Sequence, residues 1–244
     1  MNNEKKQSKK IEKMRVQKYL AHRGIASRRA IEKMIEEGKI AINGQHISLG
    51  AKIDGTETIT IDGKRLPKEE NSETVLIAFH KPKGIITSAV AEEGKKTLAD
   101  FDFGETRVFP VGRLDKDSRG LLLMTNDGEL ANRLTHPSYE HEKEYLVTLQ
   151  SNISDSGLKK LASGTIRISD SGEQKTAAKA TVERKTGNMF TITLKEGRNR
   201  QIRKMCGALG LTIADLKRIR IANIKLADLT AGKIRKENID KLNV

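Results

Sequence analysis

The spacing of apolar positions changes several times along the chain, and each change predicts an element. Val16, Tyr19 and Leu20 fall at helical spacing, and Gly24 stops the helix they predict. A second helix follows, with Ser27 as its N-cap, Ala30, Ile31, Met34 and Ile35 on one stripe, and Gly38 at its end. The period then shortens to two. Lys39-Ile40-Ala41-Ile42 and Gln45-His46-Ile47 flank Asn43-Gly44, which predicts a two-residue hairpin, and Asp62-Gly63 turns the chain again after Ile59-Thr60-Ile61. The run PKEENSET at 67–74 offers nothing to bury and reads as a linker, so a small domain over 14–66 precedes a larger one over 75–244. Residues 1–13 are polar, lysine-rich and without period, which predicts a disordered basic tail.

In the larger domain, Val75 to Phe79 forms a strand candidate that leads into the turn His80-Lys81-Pro82-Lys83-Gly84. Phe109-Pro110-Val111 and Leu121-Leu122-Leu123-Met124 are too short for helices and predict buried strands. Asp127 can cap a helix carrying Leu130 and Leu134. Lys143 to Leu149 reads as a strand that turns Tyr145, Val147 and Leu149 to one inner face. The stretch from Ser151 to Lys185 is weakly patterned, with a helix near Leu158 to Leu161 and strand pieces near Thr165 to Ile168 and Ala177 to Glu183. Asn188 to Leu194 alternates as a half-buried strand. Ile202, Met205, Cys206 and Leu209 make a helical stripe, which assigns Cys206 to the core. Strands at 217–221 and 224–226 and a short terminal helix complete the chain. Many short strands with few helices between them predict an α+β fold: a small N-terminal domain, then a domain with a mixed, mainly antiparallel sheet flanked by helices.

Composition narrows the partner. The 244 residues carry a formal charge of +14, which favours a polyanion. The single cysteine excludes an intrachain disulfide, no Cys/His spacing suggests zinc, and no metal or cofactor is implied. No apolar run is long enough to span a membrane, and the chain starts without a signal-type apolar segment, so a cytoplasmic, membrane-free protein is expected. With no Trp, five Phe and three Tyr, generic coating of single strands by stacking is disfavoured.

Candidate chemistry concentrates between the two buried strands. That loop sets Asp115 and Asp117 among Arg113, Lys116 and Arg119, with Gly112 and Gly120 at its ends. Read from residues alone, it is either a solvated ion-pair loop or the seat of an aspartate that acts as nucleophile or base. A second basic set, Arg28, Arg29 and Lys33, lies off the apolar stripe of the second helix near its N-terminus, where phosphate is favoured. Arg198, Arg200, Arg203 and Lys204 surround the start of the Ile202 helix opposite its apolar stripe.

The string GRLDKDSRGLLLMTNDG at 112–128 resembles the catalytic segment of RsuA-type RNA pseudouridine synthases. KPKG at 81–84, EKEYLV at 142–147 and EGRNRQIRKM at 196–205 extend the resemblance over about 75–235. The helix, basic helix and short strands of 15–66 resemble the αL RNA-binding domain of a ribosomal small-subunit protein. The resemblance implies that Asp115 is the catalytic carboxylate, that Tyr145 stacks on the target base, and that Arg203 is the ion partner of Asp115. Lys81, Arg113, Arg198 and Arg200 become expected RNA contacts, although a purely structural turn role weighs more for Lys81. Asp117 is expected only to order the loop. The implied reaction isomerises a uridine within folded rRNA to pseudouridine by a monomeric enzyme without a cofactor. HEKEYLV and Asn223, where the family often has Gly, resemble the RluF-like branch acting on large-subunit rRNA. The alternative is a non-catalytic rRNA-binding or ribosome-assembly protein. A glycosidase with Asp115 and Asp117 as its pair fits poorly, because such carboxylates must flank a bond.

Overall fold

The computed structural model describes residues 13–67, 73–170 and 172–243. The expected tail lies outside these but for its last residue, and so do residues 68–72 of the expected linker. The chain divides into two compact units, Met1–Glu73 and Thr74–Val244.

In the first unit, helices Val16–His22 and Arg28–Glu36 pack beside a four-stranded antiparallel sheet in the order Gln45–His46, Ile40–Ile42, Ile59–Ile61, Lys64–Arg65. Asn43 and Gly44 both adopt positive φ (49° and 81°), the geometry that a tight hairpin demands. Val16, Leu20, Ile31, Ile35, Ile40, Ile53 and Ile59 form the core. Each contributes roughly 1.5–3 kcal/mol on full burial. Ser27 Oγ accepts from the Ala30 amide at 3.2 Å, so the predicted N-cap fixes where the second helix begins.

The second unit is built on a nine-stranded sheet. Its main path runs Thr181–Arg184, Met189–Leu194, Lys143–Leu149, Ile213–Ile221, Arg119–Thr125, Leu76–Lys81, Ile234–Lys236, with Phe109–Val111 also paired to Arg119–Thr125 and Ile224–Lys225 to Ile213–Ile221. Every pairing is antiparallel except one: Ile213–Ile221 meets Arg119–Thr125 in parallel, through Lys217 beside Arg119 and Arg218 beside Gly120. Arg119, counted from sequence among the loop cations, instead pairs with Asp215 across this junction at 2.8 Å.

Alternation fails in Leu76–Lys81 and Arg119–Thr125 because both faces are covered. Leu76, Ala78, Leu121 and Leu123 pack to one side, and Ile77, Phe79, Leu122 and Met124 to the other. Helix Gln201–Gly207 buries Ile202, Met205 and Cys206 against Val147, Phe190, Ile192 and Leu216. Burial pushes the Cys206 thiol up to about 12, which suits a core side chain rather than a nucleophile.

Three details add to the sequence reading. Glu173–Thr176 is a strand paired with Arg167–Asp170; all four of its residues are exposed, so no apolar period announced it. The strand expected at 217–221 begins at Ile213. The left-handed residue of the following turn is Ala222 (φ 48°), not Asn223. Asn223 instead ties down the C-terminal segment, donating from Nδ2 to the Lys241 carbonyl at 2.7 Å and accepting from the Asn243 amide at 3.0 Å.

Candidate active site

The loop between Phe109–Val111 and Arg119–Thr125 is held from four directions. Buried Thr87 donates its hydroxyl to the Leu114 carbonyl at 2.6 Å and accepts from the Leu114 amide at 3.2 Å. The Gly84 amide donates to the Lys116 carbonyl at 2.8 Å, and the Ser118 amide closes a turn onto the Asp115 carbonyl at 3.0 Å. Arg218 donates from Nε to the Leu121 carbonyl at 2.7 Å and from Nη1 to the Arg113 carbonyl at 3.4 Å. Arg203 reaches from its helix to the Asp117 carbonyl at 3.1 Å and Ser118 Oγ at 3.2 Å. A loop with so many backbone partners presents its side chains from a fixed frame.

Asp115 stands on that frame with 31% of its side chain exposed. Arg200 Nη1 lies 3.6 Å and Arg203 Nε 3.9 Å from its Oδ2. These are ion pairs rather than close hydrogen bonds, and Arg203 Nε is buried with no hydrogen-bond partner. Sequence motifs assigned the carboxylate one cation, and the structure brings two. Arg200 does so from a left-handed backbone (φ 52°) immediately before its helix, a conformation that disfavours side chains by about 1–2 kcal/mol. Asp117 is mainly exposed; its carboxylate lies 3.9 Å from Arg200 Nη1, and its carbonyl accepts from Arg203.

A cleft of about 480 Å3 opens at this point, lined by Arg113, Asp115, Ser118, Lys143, Tyr145, Arg198, Arg200, Gln201 and Arg218 among others. Tyr145 faces it from the strand Lys143–Leu149 while packing partly against two hydrophobic clusters. Arg198 lines the wall, but its guanidinium is already engaged by Glu196 at 3.0 Å and by the Thr176 carbonyl at 3.0 Å. Arg113 is exposed and Arg200 is 44% exposed, so both cations are open to an incoming anion.

Lys81 corrects the expectation of an RNA contact. Its strand is covered on both faces, and the side chain is 0% exposed, donating to the Ile85 carbonyl at 2.6 Å and the Pro82 carbonyl at 3.0 Å. Burial lowers its ammonium to about 8, with Asp115 pulling the other way. It is a strut inside the turn. Arg28, Arg29 and Lys33 lie in the first unit, all exposed on helix Arg28–Glu36, with Lys33 3.8 Å from Glu37. Thr87, Lys143 and Arg218 were not anticipated. For Arg218 a signal existed: it shares a strand phase with buried Leu216, so an inward cation was legible.

A half-exposed carboxylate between two guanidiniums, on a pinned loop beside an aromatic ring and a basic wall, suits acid–base or nucleophilic chemistry on a flat polyanionic substrate. Comparison with known proteins defines the class. The family model for RNA pseudouridylate synthase matches residues 75–208, and the S4 domain model matches 14–59. The chain therefore belongs to the RNA pseudouridylate synthase family and carries an S4 domain. It is an RNA pseudouridine synthase, an isomerase.

It is 41% identical to "Ribosomal large subunit pseudouridine synthase B" of Bacillus subtilis, with 91% of each chain covered. It is 36% identical to "Dual-specificity RNA pseudouridine synthase RluF" of Salmonella typhi, over 93% of this chain and 77% of that one. A solved pseudouridylate synthase, 28% identical, superposes with a TM-score of 0.66 over 92% of this chain and 96% of its own.

Proposed function

We propose that this synthase isomerises a uridine of ribosomal RNA, in the large subunit, and that Asp115 is the group that opens the bond between base and ribose. The observation that carries the reading is the placement of Asp115 on the cleft wall, within 4 Å of Arg200 and Arg203, on a loop fixed by Thr87, Gly84, Arg203 and Arg218. A glycosidic bond in folded RNA is reached by extruding the nucleotide. Tyr145 then offers its ring to the flipped base. Asp115 either attacks the ribose or takes one of its protons, and both routes detach uracil within the cleft. The base turns and carbon five bonds to the ribose, so no group donor or redox partner enters. Arg200 and Arg203 aim the carboxylate, and Arg113 and Arg200 meet phosphates at the rim. Arg28, Arg29 and Lys33 add phosphate contacts from the S4 domain. The names of the relatives support ribosomal RNA as the substrate, and a cytoplasmic enzyme fits that substrate.

The test is single-turnover release of tritium from carbon five of uridine in unmodified 23S and 16S transcripts. Asp115→Asn should abolish release and leave RNA affinity within about twofold, since the amide keeps shape and loses the reactive oxygen anion. Wild-type release by that variant removes Asp115 from the reaction, and release from 16S alone overturns the large-subunit assignment. Tyr145→Ala should lose more rate than Tyr145→Phe, because base stacking is worth about 1–3 kcal/mol and only the first variant forfeits it.

A further inference from the structure

Arg218 is only 3% exposed, yet it lines the cleft. Its Nε and Nη1 hold carbonyls, but Nη2 is buried with no hydrogen-bond partner, and among the described residues no carboxylate forms a salt bridge with it. Lys143 lines the same cleft, and among the described residues its Nζ donates only to the His141 carbonyl, at 3.2 Å. Burial lowers the Lys143 ammonium, and the neighbouring Arg218 lowers it further. Two cations thus crowd one corner with spare N–H groups. A buried donor left unmade is costly, which points to an acceptor that arrives with the substrate.

Sheet geometry says which part of the substrate that is. Arg218 is the direct cross-strand partner of Tyr145, so both side chains leave the same face of the sheet. Lys143 precedes Tyr145 by two residues and shares that face. A register shift between Glu144 and Tyr145 marks a bulge here, a device that re-aims side chains.

We propose that Arg218 Nη2 and Lys143 Nζ form the corner of the cleft that holds the detached uracil through its carbonyl oxygens, stabilising it as an anion. The inference rests on the isomerase reading above. When the ribose–N1 bond breaks, the bonding pair stays with the base, and the charge spreads over N1 and both carbonyl oxygens. When carbon five later bonds to the ribose, it gives up its proton and N1 gains one, so the charge disappears. Donors that meet the anion and not the neutral base act on the barrier rather than on binding. A phosphate remains on the sugar backbone at the rim, where Arg113 and Arg200 are exposed, whereas a group as deep as Arg218 is reached by the flat base.

The experiment compares wild type, Lys143→Gln and Arg218→Lys on a 23S transcript containing uridine or 5-fluorouridine. Base detachment at saturating RNA is followed in one turnover by chromatography of nuclease digests. Lys143→Gln should slow detachment of uracil at least tenfold with the RNA dissociation constant within twofold. The deficit should shrink at least threefold with 5-fluorouracil, whose anion needs less stabilisation. A structural disturbance lowers both rates equally, so equal deficits overturn the proposal. An unchanged saturated rate with weakened binding also overturns it, in favour of a phosphate contact. If Arg218→Lys fails to fold, Lys143→Gln still decides. Asp115→Asn run in parallel keeps the two readings apart, because wild-type turnover there sinks the role of Asp115 whatever Lys143 does.

Discussion

Thr87→Val isolates the support of the loop from its chemistry. The swap keeps the shape of the side chain and removes one hydroxyl, which at present satisfies both the carbonyl and the amide of Leu114 at 2.6 and 3.2 Å. Thr87 is 8% exposed and Leu114 6%, so water replaces the hydroxyl poorly. Each buried polar group left unmade costs about 1–3 kcal/mol, so the pair should cost about 2–6 kcal/mol. Urea unfolding followed by circular dichroism should report that loss as a lower midpoint at unchanged slope for the transition of the larger domain. Hydrogen exchange in peptides spanning 109–125 should accelerate correspondingly. Single-turnover isomerisation should fall with it, since Asp115 is the next residue along and a displaced reactive group loses rate steeply. Thr87→Ser keeps the hydroxyl and should recover most of both properties. Stability of Thr87→Val within about 0.5 kcal/mol of wild type would refute the reasoning, because the two contacts would then carry no net energy.

Gly120→Ala should prevent folding of the larger domain, read as loss of soluble protein and of its circular dichroism. The added Cβ would sit 2.3 Å from the Arg218 carbonyl oxygen and 2.6 Å from its nitrogen, at φ +109°. Lys81 is buried with its pKa lowered to about 8 from 10.5, so between those values the unfolded chain binds more protons and stability should rise with pH. Lys81→Met should flatten that rise, measured as urea midpoints from pH 7.5 to 10.5. Replacing Arg28, Arg29 and Lys33 together by Ala in the full chain should reduce the slope of log affinity against log salt by about two to three units, leaving the saturated single-turnover rate near wild type. An unchanged slope returns that helix face to solvent.

Much of the frame was legible because local rules and tertiary demands agree. The Asn43-Gly44 hairpin, the Ser27 and Asp127 caps and the Lys143–Leu149 strand all follow from positions that must adopt those conformations. The apolar runs at 75–79 and 121–124 were readable as strands, the second as a buried one, because both faces of the strands that contain them are covered. Their partners were not, since register across the parallel junction depends on Gly120 and the Arg119–Asp215 pair, which are 95 or more positions apart from what they meet. The site divides in the same way. Asp115, Tyr145 and Arg203 were marked by motifs, whereas Thr87 and Arg218 act through contacts to the backbone of Leu114, Arg113 and Leu121. Strand phase could have marked Arg218 as inward, but the backbone groups that it and Thr87 serve leave no local pattern. For Lys81 the turn motif left a structural role and a phosphate contact both open, with the structural role the heavier, and the full burial of the side chain accords with that role and not with the phosphate contact.

Four departures from local preference meet at the cleft. Arg200 takes a left-handed backbone, Gly120 admits the Arg218 backbone closer than any side chain would allow, and both Arg203 Nε and Arg218 Nη2 are buried without hydrogen-bond partners. All four line or adjoin the cleft that contains Asp115. Strain and unmade hydrogen bonds persist only where the surroundings over-determine them, here the double-sided core beneath and the four holds on the loop. Because these contacts fix the frame, its open donors need not reorganise as charge develops in the cleft, and that is the condition under which a carboxylate and a few cations can lower a barrier.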